Sequence, residues 1–182
     1  MAVKLDKILV VDIESTCWLG KPPPGEKREI IEVGWCEIIL ESGTITSRET
    51  AIVKPESSKI SKFCAELTTL RQEDVADGAS LKEACEMLPA KNKVWASYGN
   101  YDREKFIEEC RWKNIKYPFG PTHINVKTLF ALAYKLPKEV GLKEALAIMK
   151  LPFEGTPHRG GDDAWNIARV LLDLIKKITC II

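Results

Sequence analysis

Residues 7–13, Lys-Ile-Leu-Val-Val-Asp-Ile, form a nearly continuous aliphatic run that closes on the triplet Asp12-Ile13-Glu14. A short run of this kind suits a central strand buried on both faces rather than one with a wet side. Side chains along a strand repeat every second residue, so Asp12 and Glu14 project from the same side of the pleat. Both carboxylates can then face one ion at the end of an otherwise apolar strand.

The rest of the chain places strands first and then alternates helices with strands. Residues 17–29 are rich in Pro and Gly and continue neither regular structure. Residues 29–40 and 44–53 read as antiparallel strands joined through Glu41-Ser42-Gly43. Helices are expected over 61–67 and 80–88, the second with Ser80 as N-cap and Glu83 at capping-box spacing. A short strand follows at 94–97, and Asp102 then opens a helix in which Phe106, Ile107 and Cys110 recur at helical spacing. Another strand at 122–126 precedes helices at 127–134 and 141–149. The last helix runs from about Asp162 to Lys177 on the apolar stripe Ile167, Val170, Leu171, Leu174 and Ile175. Three leading strands and two later ones among helices fit an α/β layered sheet.

With 182 residues, 45% of them hydrophobic and 29% charged, the chain is long enough for one well-buried core, and a single domain over 1–182 is expected. The N-terminal apolar stretch is short and interrupted by carboxylates, so it suits neither a signal peptide nor a spanning helix; a cytoplasmic protein without a membrane partner is expected. Cys17, Cys36, Cys64, Cys85, Cys110 and Cys180 form no CxxC pair and read as reduced packing residues. Cys180 is third from the end, where a prenylation box requires the fourth position. A net charge of +1 exerts no global pull on a polyanion, so nucleic-acid binding would need a local patch. Lys21, Lys27, Arg28, Lys54, Lys59, Lys62, Arg103, Lys105 and Arg159 are its candidate contributors, most of them reading as ordinary solvated charge.

Asp12, Glu14, Asp102 and Asp163 are dispersed in sequence, so only folding brings them together. Crowded carboxylates raise one another's pKa unless counter-charge is supplied. Mg²⁺ or Mn²⁺ supplies it, since hard cations prefer oxygen ligands and leave coordination positions for a phosphodiester. His158, five residues before Asp163, is suited to take a proton from an attacking water. Each residue alone has a plainer reading: Asp102 as a first-turn acid, Asp162 as the helix cap, His123 as a structural or surface residue. The combination points to phosphodiester hydrolysis.

The segments Val-Val-Asp-Ile-Glu-Ser-Thr (10–16), Glu-Ile-Ile-Glu-Val-Gly-Trp (29–35), Phe-Cys-Ala-Glu-Leu-Thr (63–68), Asn-Tyr-Asp-Arg-Glu-Lys-Phe (100–106) and His-Arg-Gly-Gly-Asp-Asp-Ala-Trp-Asn-Ile-Ala-Arg-Val-Leu-Leu (158–172) together resemble the DEDDh exonucleases. Within that superfamily, which includes ribonuclease T and the DNA polymerase III epsilon-type exonucleases, the likeness is to the Eri-type histone-mRNA and small-RNA 3′–5′ exoribonucleases. It spans residues 7 to about 176. The resemblance implies a ribonuclease H-like fold with a five-stranded mixed sheet, two Mg²⁺ or Mn²⁺ ions, and release of nucleoside 5′-monophosphates from a free 3′ end. It implies Asp12, Glu14, Asp102 and Asp163 as metal ligands and His158 as general base. It further implies substrate contacts from Ser15, Thr16, Phe63, Leu67 and Tyr101. Stacking on aromatics tolerates any base, so sequence preference should be weak. Two positions depart from the pattern: Thr69 stands where a Gly often follows the Glu-Leu-Thr segment, and Pro157 precedes the histidine.

Single-stranded RNA with a free 3′ end is the favoured substrate, with a DNA-directed exonuclease as the nearest alternative because contacts to the 2′-hydroxyl are not legible in sequence. A non-catalytic nucleic-acid-binding protein of the same fold is the second alternative, although all five positions are filled. A Ca²⁺-binding module would concentrate its ligands in one loop, unlike the dispersed acids here. No feature of the sequence sets the oligomeric state.

Overall fold

Strand β1 (Lys4–Ser15) lies inside the sheet, as its aliphatic run requires. It pairs antiparallel with β2 (Ile30–Ile39), with Asp12 opposite Gly34 and Glu14 opposite Glu32. The expected strand over 44–53 is divided into β3 (Thr44–Ile45) and β4 (Glu49–Ile52), both antiparallel to β2. The break falls where Thr46 exchanges its own bonds with Glu37: its amide donates to the Glu37 carbonyl at 2.9 Å and its hydroxyl accepts from the Glu37 amide at 2.9 Å. On the other side of β1, strands β5 (Lys93–Ser97) and β6 (His123–Asn125) add in parallel, giving six strands among the described residues where five were expected. The computed structural model describes residues 4–179, so Cys180 lies outside the described residues.

Leu9, Val10 and Val11 are fully buried, because β1 has a hydrophobic layer on each face. On one face Leu9, Val11 and Ile13 pack with Leu81 of helix α3 (Leu81–Met87) and with Phe106 of α4 (Tyr101–Trp112). On the other, Ile8 and Val10 meet α5 (Val126–Ala133), α6 (Leu142–Ile148) and α7 (Gly160–Thr179) through Phe130, Leu146, Ile167 and Leu171. Each such fully buried aliphatic or aromatic side chain contributes about 1.5–3 kcal/mol relative to exposure. Cys36, Cys64, Cys85 and Cys110 are buried free thiols and Cys17 is half-buried, in keeping with packing roles.

Local signals set most helix ends. Ser61 caps α1 (Lys62–Thr68) by accepting from the Cys64 amide at 3.0 Å. The expected Ser80–Glu83 capping box is present on α3, with Glu83 accepting from the Ser80 amide at 2.8 Å. Helix α2 (Gln72–Ala76) was not anticipated; one and a half turns are too short for periodicity to show, and it is closed by Asp74 accepting from the Arg71 amide at 2.7 Å. Helix α7 begins two residues before Asp162, at the glycine pair.

The inner side of α4 carries charge. Glu109, fully buried, accepts from the Ile30 amide at 2.9 Å, and Lys113 Nζ lies 3.1 Å from Glu109 and 3.3 Å from buried Glu29. Lys105 is also buried and pairs with Glu108 at 2.9 Å, so it is no part of a surface basic patch. Such internal pairs add little net stability but make the register of the helix against β2 costly to change. That register aims the first turn of α4, with Asp102, at the end of β1. Among the described residues, no helix is long and apolar enough to cross a membrane.

Candidate active site

Asp12, Glu14 and Asp163 converge at the C-terminal end of β1, each offering a carboxylate oxygen within 4.8 Å of the others. Asp102 stands beside them rather than in the same triplet. Its Oδ1 accepts from the Ile13 amide at 3.3 Å, which puts it against β1 between the two strand acids in sequence, and it is almost fully buried. The two strand carboxylates come from the alternation of the pleat; Asp102 and Asp163 come from the first turns of α4 and α7. First-turn acids are favoured by unpaired amides there, and Asp163 Oδ2 accepts from the Arg159 amide at 3.1 Å.

The arrangement is electrostatically costly for a metal-free protein. Burial holds Asp12 well above the usual carboxylate range, and Asp102, Asp163, Glu14 and Glu32 push it further. Burial and then Asp163, Glu32 and Asp102 raise Glu14 to about 8, with Arg159 opposing. Burial raises Asp102 to about 7 against hydrogen bonds from the backbone and Ser97, and Asp163 to about 6 against those from the His158 and Arg159 amides. A folded state that binds protons more tightly than the unfolded one loses stability as pH rises through these values. Metal-free protein is therefore expected to melt at a falling temperature from pH 5 to pH 8.5, by ~5 °C or more for ~2 kcal/mol. Saturating Mn²⁺ should flatten or reverse that slope in a melting series; parallel slopes with and without Mn²⁺ would dismiss the site as a cation centre.

Close backbone packing brings α7 to this place. A Cβ on Gly34 of β2 would overlap the carbonyl carbon of Gly160 and the amide nitrogen of Gly161, and one on Gly160 would lie 2.9 Å from the Gly34 amide nitrogen and 3.3 Å from the Asp12 carbonyl oxygen. Glu32, two residues before Gly34 and 1% exposed, accepts from the Gly160 amide at 2.9 Å and from the Arg159 guanidinium. Neither Gly34 nor Glu32 was singled out from sequence. The available signal was a carboxylate two places before a glycine inside an aliphatic strand, at a position that pairs with Glu14.

His158 lies on the turn before α7 with an exposed side chain and a left-handed backbone, φ 60°. Partial desolvation and Lys143 hold its pKa below the ordinary value. Its imidazole is not among the converging metal-binding groups. Asp162 behaves as a brace, accepting from the Thr156 amide at 2.7 Å and pairing with Arg48, so the loop before His158 is stitched to α7. His123 is structural: its Nε2 is 3.0 Å from Ser97 Oγ and its ring packs on Trp95, with burial lowering its pKa to about 4.

The expected substrate contacts divide into available and occupied groups. Phe63 and Tyr101 are exposed, and the Tyr101 hydroxyl lies 2.8 Å from Ser15 Oγ, spanning the end of β1. Leu67 is half-buried on α1. The Thr16 side chain turns inward, leaving only its backbone to serve the expected contact: it is fully buried, donates to the Lys27 carbonyl at 3.0 Å and accepts from the Glu29 amide at 2.9 Å. Those bonds close the 17–29 loop and leave its hydroxyl unavailable to a ligand. Thr69 adopts the left-handed C-cap conformation of α1, φ 64°, so the turn that a Gly would favour is kept with a threonine. A recess of about 590 Å³ lies at the far end of α4 between Cys85 and Tyr117 and includes none of these carboxylates.

A family model described as an exonuclease of the RNase T type matches residues 9–171. The chain belongs to this exonuclease family. It is 31% identical to the 3′–5′ exoribonuclease 1 of Rattus norvegicus over 188 residues, covering 94% of this chain and 53% of that protein. The corresponding protein of Homo sapiens is 30% identical over the same shares. The chain thus spans about half the length of the curated relatives it matches. Among solved structures, the nuclease domain of 3′hExo, described as a DEDDh family member bound to rAMP, superposes with a TM-score of 0.83 at 27% identity, covering 94% of this chain and 92% of that one. A 3′-exonuclease solved for 3′-end recognition of the histone mRNA stem-loop gives a TM-score of 0.83, with 97% and 84% covered. These likenesses make the sheet and its helices a ribonuclease H-like exonuclease fold. In this exonuclease chain the converging acids lie at the end of the first strand, within the matched residues.

Proposed function

We propose that this chain is a single-domain, metal-dependent 3′–5′ exonuclease that shortens single-stranded RNA from a free 3′ end and releases nucleoside 5′-monophosphates. The observation that carries the reading is the convergence of Asp12, Glu14 and Asp163 within 4.8 Å at the end of β1, with Asp102 beside them. RNA is favoured because the relatives at 30–31% identity are exoribonucleases and one solved neighbour is bound to rAMP.

The donor set fits hard divalent cations: every group is a carboxylate, no thiol or imidazole joins the triplet, and the mutual repulsion calls for positive charge. Asp12, Glu14, Asp102 and Asp163 would hold two Mg²⁺ or Mn²⁺ ions. When bound, such ions supply charge neutralisation and Lewis acidity toward a phosphodiester. The protein's own work is orientation and proton transfer. His158, neutral at pH 7 by the direction of its shift, accepts the proton of the attacking water. Exposed Phe63 and Tyr101 offer surfaces on which terminal bases stack, and Ser15 with Leu67 completes the contact.

The test is incubation with 5′-labelled single-stranded RNA and matching DNA, in Mg²⁺, in Mn²⁺ and in chelator. A ladder that shortens from the 3′ end and vanishes with chelator supports the reading and ranks the two sugars. Metal binding with no cleavage of either strand favours the non-catalytic alternative. His158→Ala should lower kcat by ~10²–10⁴-fold, the usual size of a general-base contribution, with Mn²⁺ affinity almost unchanged. Full activity in that variant removes the histidine from the proton step.

A further inference from the structure

We propose that Arg159 is a positioning residue for the hydrolytic reaction, locking the first turn of α7, and with it Asp163 and His158, to buried Glu32 and toward the C-cap of α1. The inference rests on the exonuclease reading above for the roles of Asp163 and His158. Its geometry is independent of that reading. The guanidinium addresses Glu32 as a fork: Nε is 3.3 and 3.2 Å from the two carboxylate oxygens and one terminal nitrogen is 3.1 Å from Oε1. Glu32 also receives the Gly160 amide at 2.9 Å, so one buried carboxylate holds both the side chain and the helix start.

The main chain of Arg159 is committed to the same helix turn. Its amide donates to Asp163 Oδ2 at 3.1 Å, and its carbonyl accepts from the Asp163 amide at 2.8 Å. The remaining guanidinium nitrogen reaches Thr69 Oγ1 at 3.5 Å, on the left-handed cap of the helix that carries Phe63 and Leu67. One residue thus joins three elements: the strand that pairs with Glu14, the helix that bears Asp163, and the helix proposed to meet the 3′-terminal nucleotide. A lysine would keep the charge but not the planar fork, so it would not set the direction of the turn. Groups that orient metal ligands from behind typically change metal affinity or activity ~10–100-fold when removed.

The test uses Arg159→Lys, Arg159→Ala and the charge-neutral pair Glu32→Gln/Arg159→Gln, the last chosen because it leaves no lone buried charge. Mn²⁺ binding by calorimetry, melting temperature, and kcat and KM on 5′-labelled RNA are measured on each. Arg159→Lys and the neutral pair are expected to weaken Mn²⁺ binding and lower kcat by ~10-fold or more, while KM for RNA moves less. A recess of about 210 Å³, lined by Arg48, Thr50 and Thr156 beside Arg159, gives free guanidinium a place to enter the Ala variant. Added guanidinium should restore part of its Mn²⁺ affinity, whereas methylammonium should not. Mn²⁺ affinity and kcat equal to wild type in Arg159→Lys and the neutral pair, whatever their melting temperatures, would overturn the proposal. Wild-type protein that binds Mn²⁺ but cleaves no strand would instead overturn the exonuclease reading, leaving the effect on Mn²⁺ affinity to be judged by itself.

Discussion

Asp12→Asn is expected to lower 3′-end hydrolysis by ~10³-fold or more, a barrier increase of ~4 kcal/mol, while raising the melting temperature of metal-free protein. The two effects have one cause. Asp12 is buried and hemmed by Asp102, Asp163, Glu14 and Glu32, all of which disfavour its ionised form. An amide has the same shape without the charge, so the metal-free fold is relieved of repulsion, by ~1–2 kcal/mol or ~3–6 °C. The gain should shrink from pH 8.5 to pH 5, because the wild-type carboxyl takes up a proton as pH falls and loses the same repulsion. Differential melting and labelled-strand kinetics on one preparation read both quantities. A variant that melts lower than wild type without metal, or keeps a tenth of the activity, would show that Asp12 is held for packing and not for a cation.

The parts of this site that sequence made legible are those governed by local rules. Asp12 and Glu14 are legible because a pleat alternates, and Ser80 with Glu83 because a capping box has fixed spacing. The both-sided burial of Leu9, Val10 and Val11 follows from an uninterrupted aliphatic run. What was not legible depends on approach between distant segments. Nothing near Thr46 signals that its hydroxyl would substitute for a ladder bond and divide the third strand in two. Thr16 reads as a neighbour of the site by its place after Glu14, yet its side chain turns inward to the Lys27 and Glu29 backbone. Lys105 reads as surface charge by its type, but the helix face it occupies carries Glu109, and the pair is internal. Arg159 reads from sequence only as one candidate contributor to a basic patch; its partner Glu32 lies 127 residues away in the chain.

Gly34→Ala is expected to destabilise the protein by ~3 kcal/mol or more, at the upper end of overpacking in a close-packed interior, and to lower its melting temperature by ~6–12 °C. The added methyl has nowhere to go, since backbone atoms of Gly160 and Gly161 occupy its position and neither can rotate away as a flexible side chain would. Relief requires the first turn of α7 to lift from β2, and the turn that lifts carries Asp163 and follows His158. Loss of stability and loss of Mn²⁺ affinity should therefore occur together. Gly120→Ala is the control, because its added carbon would lie 3.6 Å from the Lys93 carbonyl oxygen, an ordinary contact, and it should stay within ~1 kcal/mol of wild type. A Gly34→Ala protein that melted early but bound Mn²⁺ as tightly as wild type would mean that Asp163 keeps its place by the hydrogen bonds it shares with the Arg159 backbone, accepting from its amide and donating to its carbonyl. Weakened binding would instead make the glycine contact between β2 and α7 the feature that sets the distance from Asp163 to Asp12 and Glu14.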